Sequence, residues 1–113
     1  MKFSSSLKKN HIFRRLYASK GVANSYFVLY ARPNRSAHNF VGITVSKKLG
    51  HAVVRNRTRR RLREVYRLNN PALKQGWDII LVGRGRTATV PWKELNATYL
   101  RLCKKLSLLE GQE

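Results

Sequence analysis

Residues 51–67 of the chain read HAVVRNRTRRRLREVYR, and the other predicted elements are arranged around this basic stretch. At 100° per residue, an α-helix gathers four of its apolar residues and Thr58 within about one-third of its circumference. Seven arginines lie between positions 55 and 67, and they occupy the rest of the helix surface. We therefore predict a helix with a broad cationic face and one buried edge. The residues of that edge are Val54, Thr58, Leu62, Val65 and Tyr66.

Three strands and two further helices are predicted around this helix. Amphipathic spacing indicates a short helix over residues 10–19 that ends before Gly21. Runs rich in β-branched and aromatic residues indicate strands at Tyr26–Arg32, Phe40–Val45 and Trp77–Val82. Because only a short connection separates the first two strands, we expect them to form an antiparallel hairpin. A last helix is expected to begin at Pro91, since proline suits a first helical turn.

The order α-β-β-α-β-α, with room for one extra short strand, indicates a single compact α+β domain in which helices pack on a small sheet. Residues 10–109 are expected to form this domain. Residues 1–9 are expected to form a flexible basic arm and residues 110–113 a C-terminal tail. A basic loop at Gly83–Arg86 follows the last strand, and its role stays open.

The charge of the chain indicates the kind of partner it binds. The 113 residues include 24 Lys and Arg against 5 Asp and Glu, which gives a formal net charge of +19. A hydrophobic content of 42% is too high for a disordered basic tail. A solvated helix face is the simplest alternative, but such faces usually mix both signs of charge. We expect a polyanion to neutralise the adjacent arginines, because guanidinium groups match phosphate oxygens.

The acidic residues, the histidines and the cysteine argue against a catalytic centre built from protein side chains. A metal-dependent nuclease needs several carboxylates that converge, whereas the five in this chain are scattered. A single cysteine allows neither a disulfide nor a thiolate metal cage, and the histidines lack metal-ligand spacing. We therefore predict no catalytic and no metal-binding residue. The residues concerned are Glu64, Asp78, Glu94, Glu110, Glu113, Cys103, His11, His38 and His51.

The sequence contains no evident targeting or membrane segment. The serines near the N-terminus are not followed by the apolar stretch of a secretory peptide. The longest apolar run, Ile79–Val82, is far too short to span a membrane. We expect a reduced, cytoplasmic setting and no membrane partner.

RNA is favoured over DNA as the polyanion. The sequence lacks a helix-turn-helix pair, zinc-finger spacing and dimerising heptads, so we expect no DNA partner. RNA is recognised through phosphates and through unpaired bases stacked on aromatic rings. Aromatic residues near the basic segments are Phe13, Tyr17, Tyr26 and Tyr30. Ordinary core packing stays open as the alternative role of each ring.

One block of residues carries a family resemblance. A strand followed by Ser46-Lys47-Lys48, Gly50 and then Arg55-Asn56-Arg57 at the start of a basic helix resembles the bacterial ribonuclease P protein subunit. Other segments resemble the first helix, first strand, last strand and closing helix of that family. The resemblance covers roughly residues 7–109. Size and charge alone would equally suit a ribosomal or other structural RNA-binding protein with no enzymatic context.

The resemblance implies how the protein acts. Members of this family join a large catalytic RNA, and the complex removes the 5′ leader of precursor tRNA by hydrolysing one phosphodiester bond. The RNA is implied to hold the active site and its Mg²⁺, so the protein alone binds no cofactor, and we expect one protein per RNA. The implied fold is ribosomal-protein-like, with a left-handed βαβ crossover around the basic helix, against the usual right-handed preference.

The resemblance also implies two binding surfaces. The leader is expected to lie in a cleft lined by Phe13, Tyr17 and Tyr30, where rings can stack on unpaired bases. The catalytic RNA is expected on the basic turn and helix, where Asn56 is also a candidate for organising the helix. Two positions depart from the family: Tyr17 adds a hydroxyl where Phe is frequent, and Arg61 replaces an apolar or Lys side chain. The implied RNA-binding residues are Lys47, Lys48, Arg55, Asn56, Arg57, Arg59, Arg60 and Arg63.

Overall fold

Five strands form one mixed sheet in the computed structural model, which describes Ser4–Ser6 and residues 21–110. The strands are β1 (Ser4–Ser6), β2 (Gly21–Ala23), β3 (Phe27–Pro33), β4 (Asn39–Thr44) and β5 (Trp77–Gly83). Their order across the sheet is β1-β4-β5-β3-β2. The helices within the described ranges are α1 (Ala52–Asn69) and α2 (Trp92–Lys105). The predicted α+β fold is confirmed.

β5 is the centre of the sheet and is buried on both faces. It pairs antiparallel with β3, where Leu29 lies opposite Leu81, and parallel with β4. Ile79, Ile80 and Leu81 are all fully buried. Leu29, Ile79 and Leu81 belong to the core under the helices, whereas Ile80 packs with Tyr30 on the opposite face. Leu29 and Tyr30, which are consecutive in β3, thus face opposite sides of the sheet.

The predicted hairpin between the first two strands is wrong. β5 lies between β3 and β4, so these two strands do not pair. The chain passes from β4 through α1 into the parallel neighbour β5, which forms the crossover that the resemblance implies; the left hand of that crossover stays a prediction. Alternation identifies strands but not their partners, and an uninterrupted apolar run such as Ile79–Val82 is typical of a central strand.

The sheet contains two short strands in addition to the three predicted ones, whereas the sequence allowed for one. β2 pairs with β3, and β1 pairs with β4. Ser4–Ser6, which lie within the predicted basic arm of residues 1–9, form β1, because the outer edge of β4 presents backbone groups that a strand can pair with. The predicted helix over residues 10–19 lies outside the described residues. In the predicted tail, the Glu110 backbone N–H donates to Ala72 O at 2.8 Å.

α1 packs on the sheet through a narrow stripe. The stripe meets β5 at Gly83, where an added Cβ would lie 2.5 Å from Thr58 Cγ2. A residue without a side chain is therefore required for this close approach of helix and strand. Val54, predicted for the buried edge, is only half-buried. The buried residues of the stripe are Thr58, Leu62, Val65 and Tyr66.

A buried polar network holds the far end of α1. Asn39 is fully buried, and its Nδ2 donates to Asn70 Oδ1 at 2.9 Å and to Lys74 O at 3.0 Å. The Asn39 Oδ1 accepts from the Trp77 backbone N–H at 2.9 Å. Asn70 follows α1 and Trp77 begins β5. The network therefore ties both ends of the connection between α1 and β5 to the start of β4.

α2 covers the same face of the sheet and encloses the cysteine. Burial raises the pKa of the Cys103 thiol to about 12 and raises that of the neighbouring Tyr99 hydroxyl well above its usual value. The helical spacing predicted after Pro91 is confirmed, since α2 begins at Trp92. Its buried residues are Leu95, Thr98, Tyr99, Leu102 and Cys103.

We expect Gly83→Ala to destabilise the fold by about 1–3 kcal/mol, the usual cost of overpacking an interior. The added Cβ would collide with Thr58 Cγ2 and push α1 away from β5. Thr58→Ser in the same chain should recover much of the loss, because it removes that methyl group and keeps the hydroxyl that donates to Val54 O at 2.9 Å. Urea unfolding of the parent, both single variants and the double variant measures this; a double variant no more stable than Gly83→Ala would contradict the contact.

We expect Cys103 in the folded protein to react with Ellman's reagent at pH 8 about a thousandfold more slowly than in urea, because a pKa raised from 9.0 to about 12 removes the thiolate. The same shift lowers the free energy of unfolding as the pH rises from 9.0 to about 12, since the thiol ionises first in the unfolded chain. The chain has one cysteine, so the signal is unambiguous. Equal rates in both states would refute the burial of this thiol.

Candidate nucleic-acid interface

A basic turn leads into α1 and positions the start of the helix. Ser46 Oγ accepts from the Lys48 backbone N–H at 3.1 Å, which closes a 3₁₀ turn over Lys47–Leu49 with both lysines exposed. Gly50 follows with a φ of 137°, which residues with side chains rarely adopt. His51 is then the residue that precedes α1. The turn therefore holds two lysines beside the first turn of the cationic helix.

The predicted RNA-binding residues of α1 lie on its solvent side or at the border of that side. Arg59 Nη1 donates to Asn56 Oδ1 at 3.1 Å, one turn apart on the helix. This contact gives Asn56 a partner on its own helix and limits the freedom of the Arg59 side chain. Exposed are Asn56, Arg57, Arg60 and Arg63; half-buried are Arg55 and Arg59.

Only one acidic residue lies among these arginines. Glu64 pairs with Arg67, the one ion pair found within residues 21–110, and this arginine lowers the pKa of Glu64. The pair is solvent-exposed and contributes little to stability, but it neutralises Arg67. The other exposed arginines of α1 keep an uncompensated charge, and such a surface attracts polyanions.

Arg61 differs from the other arginines of α1. Its guanidinium turns toward the segment before α2, where Nη1 donates to Thr87 O at 2.8 Å. Burial lowers the pKa of Arg61, and the nearby charge of Arg57 lowers it further. A depression of about 380 Å³ lies beside it, lined by Val53, Arg57, Arg60 and Arg61. The charge pattern of the sequence does not distinguish Arg61 from its neighbours, because only the fold brings the carbonyl groups to it.

The sheet face opposite the helices carries Tyr30. Tyr30 lies beside Ile80 in the register of β3 and β5, and both pack with Phe40 in a small apolar cluster. The ring of Tyr30 also lies over Gly21 of β2, where an added Cβ would be 2.5 Å from Cε1. The ring is half-buried and rests on an apolar floor. The other residues predicted for the leader cleft, Phe13 and Tyr17, lie outside the described residues.

Tyr26 belongs to the core side of the sheet. Its ring packs against the apolar cluster under the helices, and its Oη donates to Glu94 Oε1 at 2.5 Å. This hydrogen bond is the main cause of the raised pKa of Tyr26. The guanidinium of Arg86 lies 5.0 Å from the ring centroid. Core packing is therefore the role of Tyr26, and the basic loop after β5 rests on its ring.

The carboxylates of Glu64, Asp78 and Glu94 are each engaged with another side chain. Asp78 Oδ1 accepts from Asn34 Nδ2 at 3.1 Å, while Glu64 and Glu94 hold the partners given above. Among the described residues, no three of His, Cys, Asp and Glu come together as a metal ion would require. The Cys103 thiol is buried with a raised pKa and so is a poor nucleophile. No helix in the described part of the chain is long and apolar enough to cross a membrane.

Comparison with known sequences points to one family. The model of the family described as Ribonuclease P matches residues 1–107. The ribonuclease P protein component of Alkaliphilus oremlandii is 44% identical over 112 residues, which is 98% of either chain. That of Natranaerobius thermophilus is 44% identical over 106 residues, covering 93% of this chain and 92% of its own.

Solved structures agree with the sequence comparison. The RNase P protein of Staphylococcus aureus superimposes with a TM-score of 0.80 at 32% identity, over 93% of this chain and 97% of its own. The RNase P protein of Thermotoga maritima gives a TM-score of 0.78 at 28% identity, over 88% of this chain and 96% of its own. The similarity thus extends over most of this chain.

Proposed function

Because the chain belongs to the ribonuclease P protein family, we propose that it binds the catalytic RNA of that enzyme and the 5′ leader of precursor tRNA. The family makes it an accessory subunit of a bacterial tRNA-processing endoribonuclease. The observation that carries the proposal is the solvent face of α1, whose arginines have no ion-pair partner other than Glu64 within the described chain. A ribosomal or structural RNA-binding role without enzymatic context is disfavoured by the family membership.

The catalytic RNA binds along α1 and the basic turn in this proposal. Guanidinium groups can pair with phosphate oxygens through two parallel hydrogen bonds. The buried stripe holds the helix against the sheet, so its exposed arginines stand at set spacings before RNA arrives and less entropy is lost on binding. The proposed contact residues are Lys47, Lys48, Arg55, Asn56, Arg57, Arg59, Arg60 and Arg63.

The leader of precursor tRNA lies against the opposite sheet face in this proposal. Tyr30 supports it, because its half-buried ring rests on an apolar cluster and is backed by Gly21. Stacking of an unpaired base on such a ring is worth about 1–3 kcal/mol. Phe13 and Tyr17 are proposed to complete the cleft on the strength of the family resemblance.

Catalysis belongs to the RNA in this proposal, and the Mg²⁺ that supports hydrolysis is held by RNA groups. The protein contributes affinity, since its cations offset the repulsion between the phosphates of enzyme RNA and substrate. The engagement of Glu64, Asp78 and Glu94 with other side chains supports this division of labour. One protein per RNA and a cytoplasmic setting complete the proposal.

Reconstitution with the catalytic RNA tests the proposal. We expect the protein to leave precursor tRNA uncleaved in Mg²⁺ alone and to promote cleavage once the cognate RNA is added. Arg57→Ala and Arg60→Ala together should weaken assembly and flatten the dependence of log Kd on log salt by about 0.7–0.9 for each lost phosphate contact. Filter binding across a salt series measures the slope.

The matched control is Arg101→Ala, an exposed arginine on α2, which should leave the slope unchanged. Cleavage by RNA-free protein would overturn the proposed division of labour. An Arg57/Arg60 double variant with the parent slope would show that these arginines only face solvent.

Tyr30→Ala in the holoenzyme should weaken binding of leader-bearing precursor by about 1–3 kcal/mol, with little effect on mature tRNA. Tyr30→Phe is the control, because it keeps the stacking surface and should bind precursor nearly as tightly as the parent. Equilibrium binding of both tRNAs measures the difference. Equal losses on precursor and mature tRNA would remove Tyr30 from the leader site.

A further inference from the structure

We propose that the loop carrying Arg84 and Arg86 is a second RNA-contacting surface and that Arg61 is a positioning residue that holds it beside α1. The inference rests on the proposed RNA-binding function and deepens it, because it joins α1 and the loop into one phosphate-binding surface. The loop runs from Gly83, at the end of β5, to Val90, before α2.

The contacts of Arg61 lie within the protein. Nη1 donates to Thr87 O at 2.8 Å, and Nη2 donates to Val90 O. These carbonyl groups lie near the end of the Gly85–Ala88 3₁₀ turn and just before Pro91, which has no N–H. A planar guanidinium can hold two such acceptors at once, whereas a lysine ammonium has no such fork. Arg61 thus holds the loop against α1. We call these two hydrogen bonds the Arg61 latch.

Thr87 links Arg61 to Arg84 through hydrogen bonds. Thr87 is fully buried, and its backbone N–H donates to Arg84 O at 3.0 Å. Its Oγ1 accepts from the Arg84 backbone N–H at 3.0 Å and donates to Tyr26 O. Because Arg61 holds the Thr87 carbonyl, the backbone of Arg84 is fixed relative to α1, while the Arg84 side chain stays exposed.

Arg86 is positioned by a second set of contacts. Its guanidinium lies 5.0 Å from the centroid of the Tyr26 ring, a cation–π arrangement. The Tyr26 Oη donates to Glu94 Oε1 in the first turn of α2. Arg86 is exposed and forms no ion pair within the ranges that the structure describes. The loop therefore presents two cations on a braced backbone.

The loop and the first half of α1 lie at the same end of the strands. Gly83 is opposite Phe27 in the register and against Thr58 of α1. Arg57 lies one helical turn before Arg61 and lines the same depression, so the loop that Arg61 contacts lies on the Arg57 side of the helix. The helix and the loop therefore both present cations at this end of the strands. A phosphate backbone that crosses from the helix to the loop can contact both sets.

Assembly of the holoenzyme with its catalytic RNA over a salt series tests the inference. Replacing both Arg84 and Arg86 with Gln should reduce the log–log salt slope by about 1.4–1.8, which corresponds to two phosphate contacts. Arg61→Met should reduce the slope although Arg61 itself faces carbonyl groups, and the loop substitutions should then have little further effect. Arg61→Lys should behave like Arg61→Met, since it keeps the charge but loses the two-carbonyl contact.

Three controls separate the outcomes. Arg35→Gln, at the opposite end of the strands, should leave the slope unchanged. Hydrogen exchange should rise at amides 84–90 of the Arg61→Lys variant while α1 and β5 keep their protection, which shows that the fold is intact. Arg60→Gln should reduce the slope as an independent contact, additive with the loop substitutions.

The results distinguish this inference from the proposed function. If Arg60→Gln lowers the slope but the loop substitutions do not, the second surface is overturned and the proposed function stands. If the Arg61 and loop substitutions change the slope additively, or if Arg61→Lys keeps the parent slope, Arg61 acts by its own charge. The positioning role of Arg61 is then overturned. If Arg60→Gln, the Arg57/Arg60 double variant and the loop substitutions all leave the slope unchanged, the proposed RNA contacts of α1 fail and this inference fails with them.

Discussion

The packing of one narrow helix stripe against the sheet supports every other feature of this protein. Thr58, Leu62, Val65 and Tyr66 are the buried residues of α1, and they hold a helix that carries seven arginines between positions 55 and 67. Burial of each large apolar side chain contributes about 1.5–3 kcal/mol, which opposes the mutual repulsion of the charges. The close approach at Gly83 makes this contact possible. A helix held in this way can present cations toward solvent without being displaced by them.

Polar contacts just after the helix and at its middle then determine where its charges point. Asn39 ties the residues after α1 to β4 and β5, and Arg61 ties its middle to the loop before α2. Both are buried or half-buried polar groups whose partners are mostly backbone atoms, which is costly to disrupt. One arginine of the seven therefore serves the architecture, and one pairs with Glu64. The remaining five are the residues available to a polyanion.

The alternating and helical patterns were sufficient to predict the main elements but not their neighbours. The three predicted strands and the basic helix lie within one or two residues of the predicted bounds, and the last helix begins one residue after Pro91. Burial on one face leaves a clear period in the sequence. The hairpin prediction failed because β5 separates β3 from β4. β2 was missed because three residues, one of them Gly21, carry no readable period. The charge of the Gly83–Val90 loop could be predicted from the sequence, but its contacts could not.

The charge, the helix face that bears it and the family block from Ser46 to Arg57 could be predicted from the sequence, because these depend on residue identity and on spacing along one element. Tertiary structure alone decided which arginines are free. Arg61 and Arg60 are adjacent and chemically identical, yet one reaches the carbonyls of Thr87 and Val90 while the other is exposed. Partners 26 and 29 positions away along the chain leave no periodic signal, since only the folding of β5 beside α1 brings them into contact.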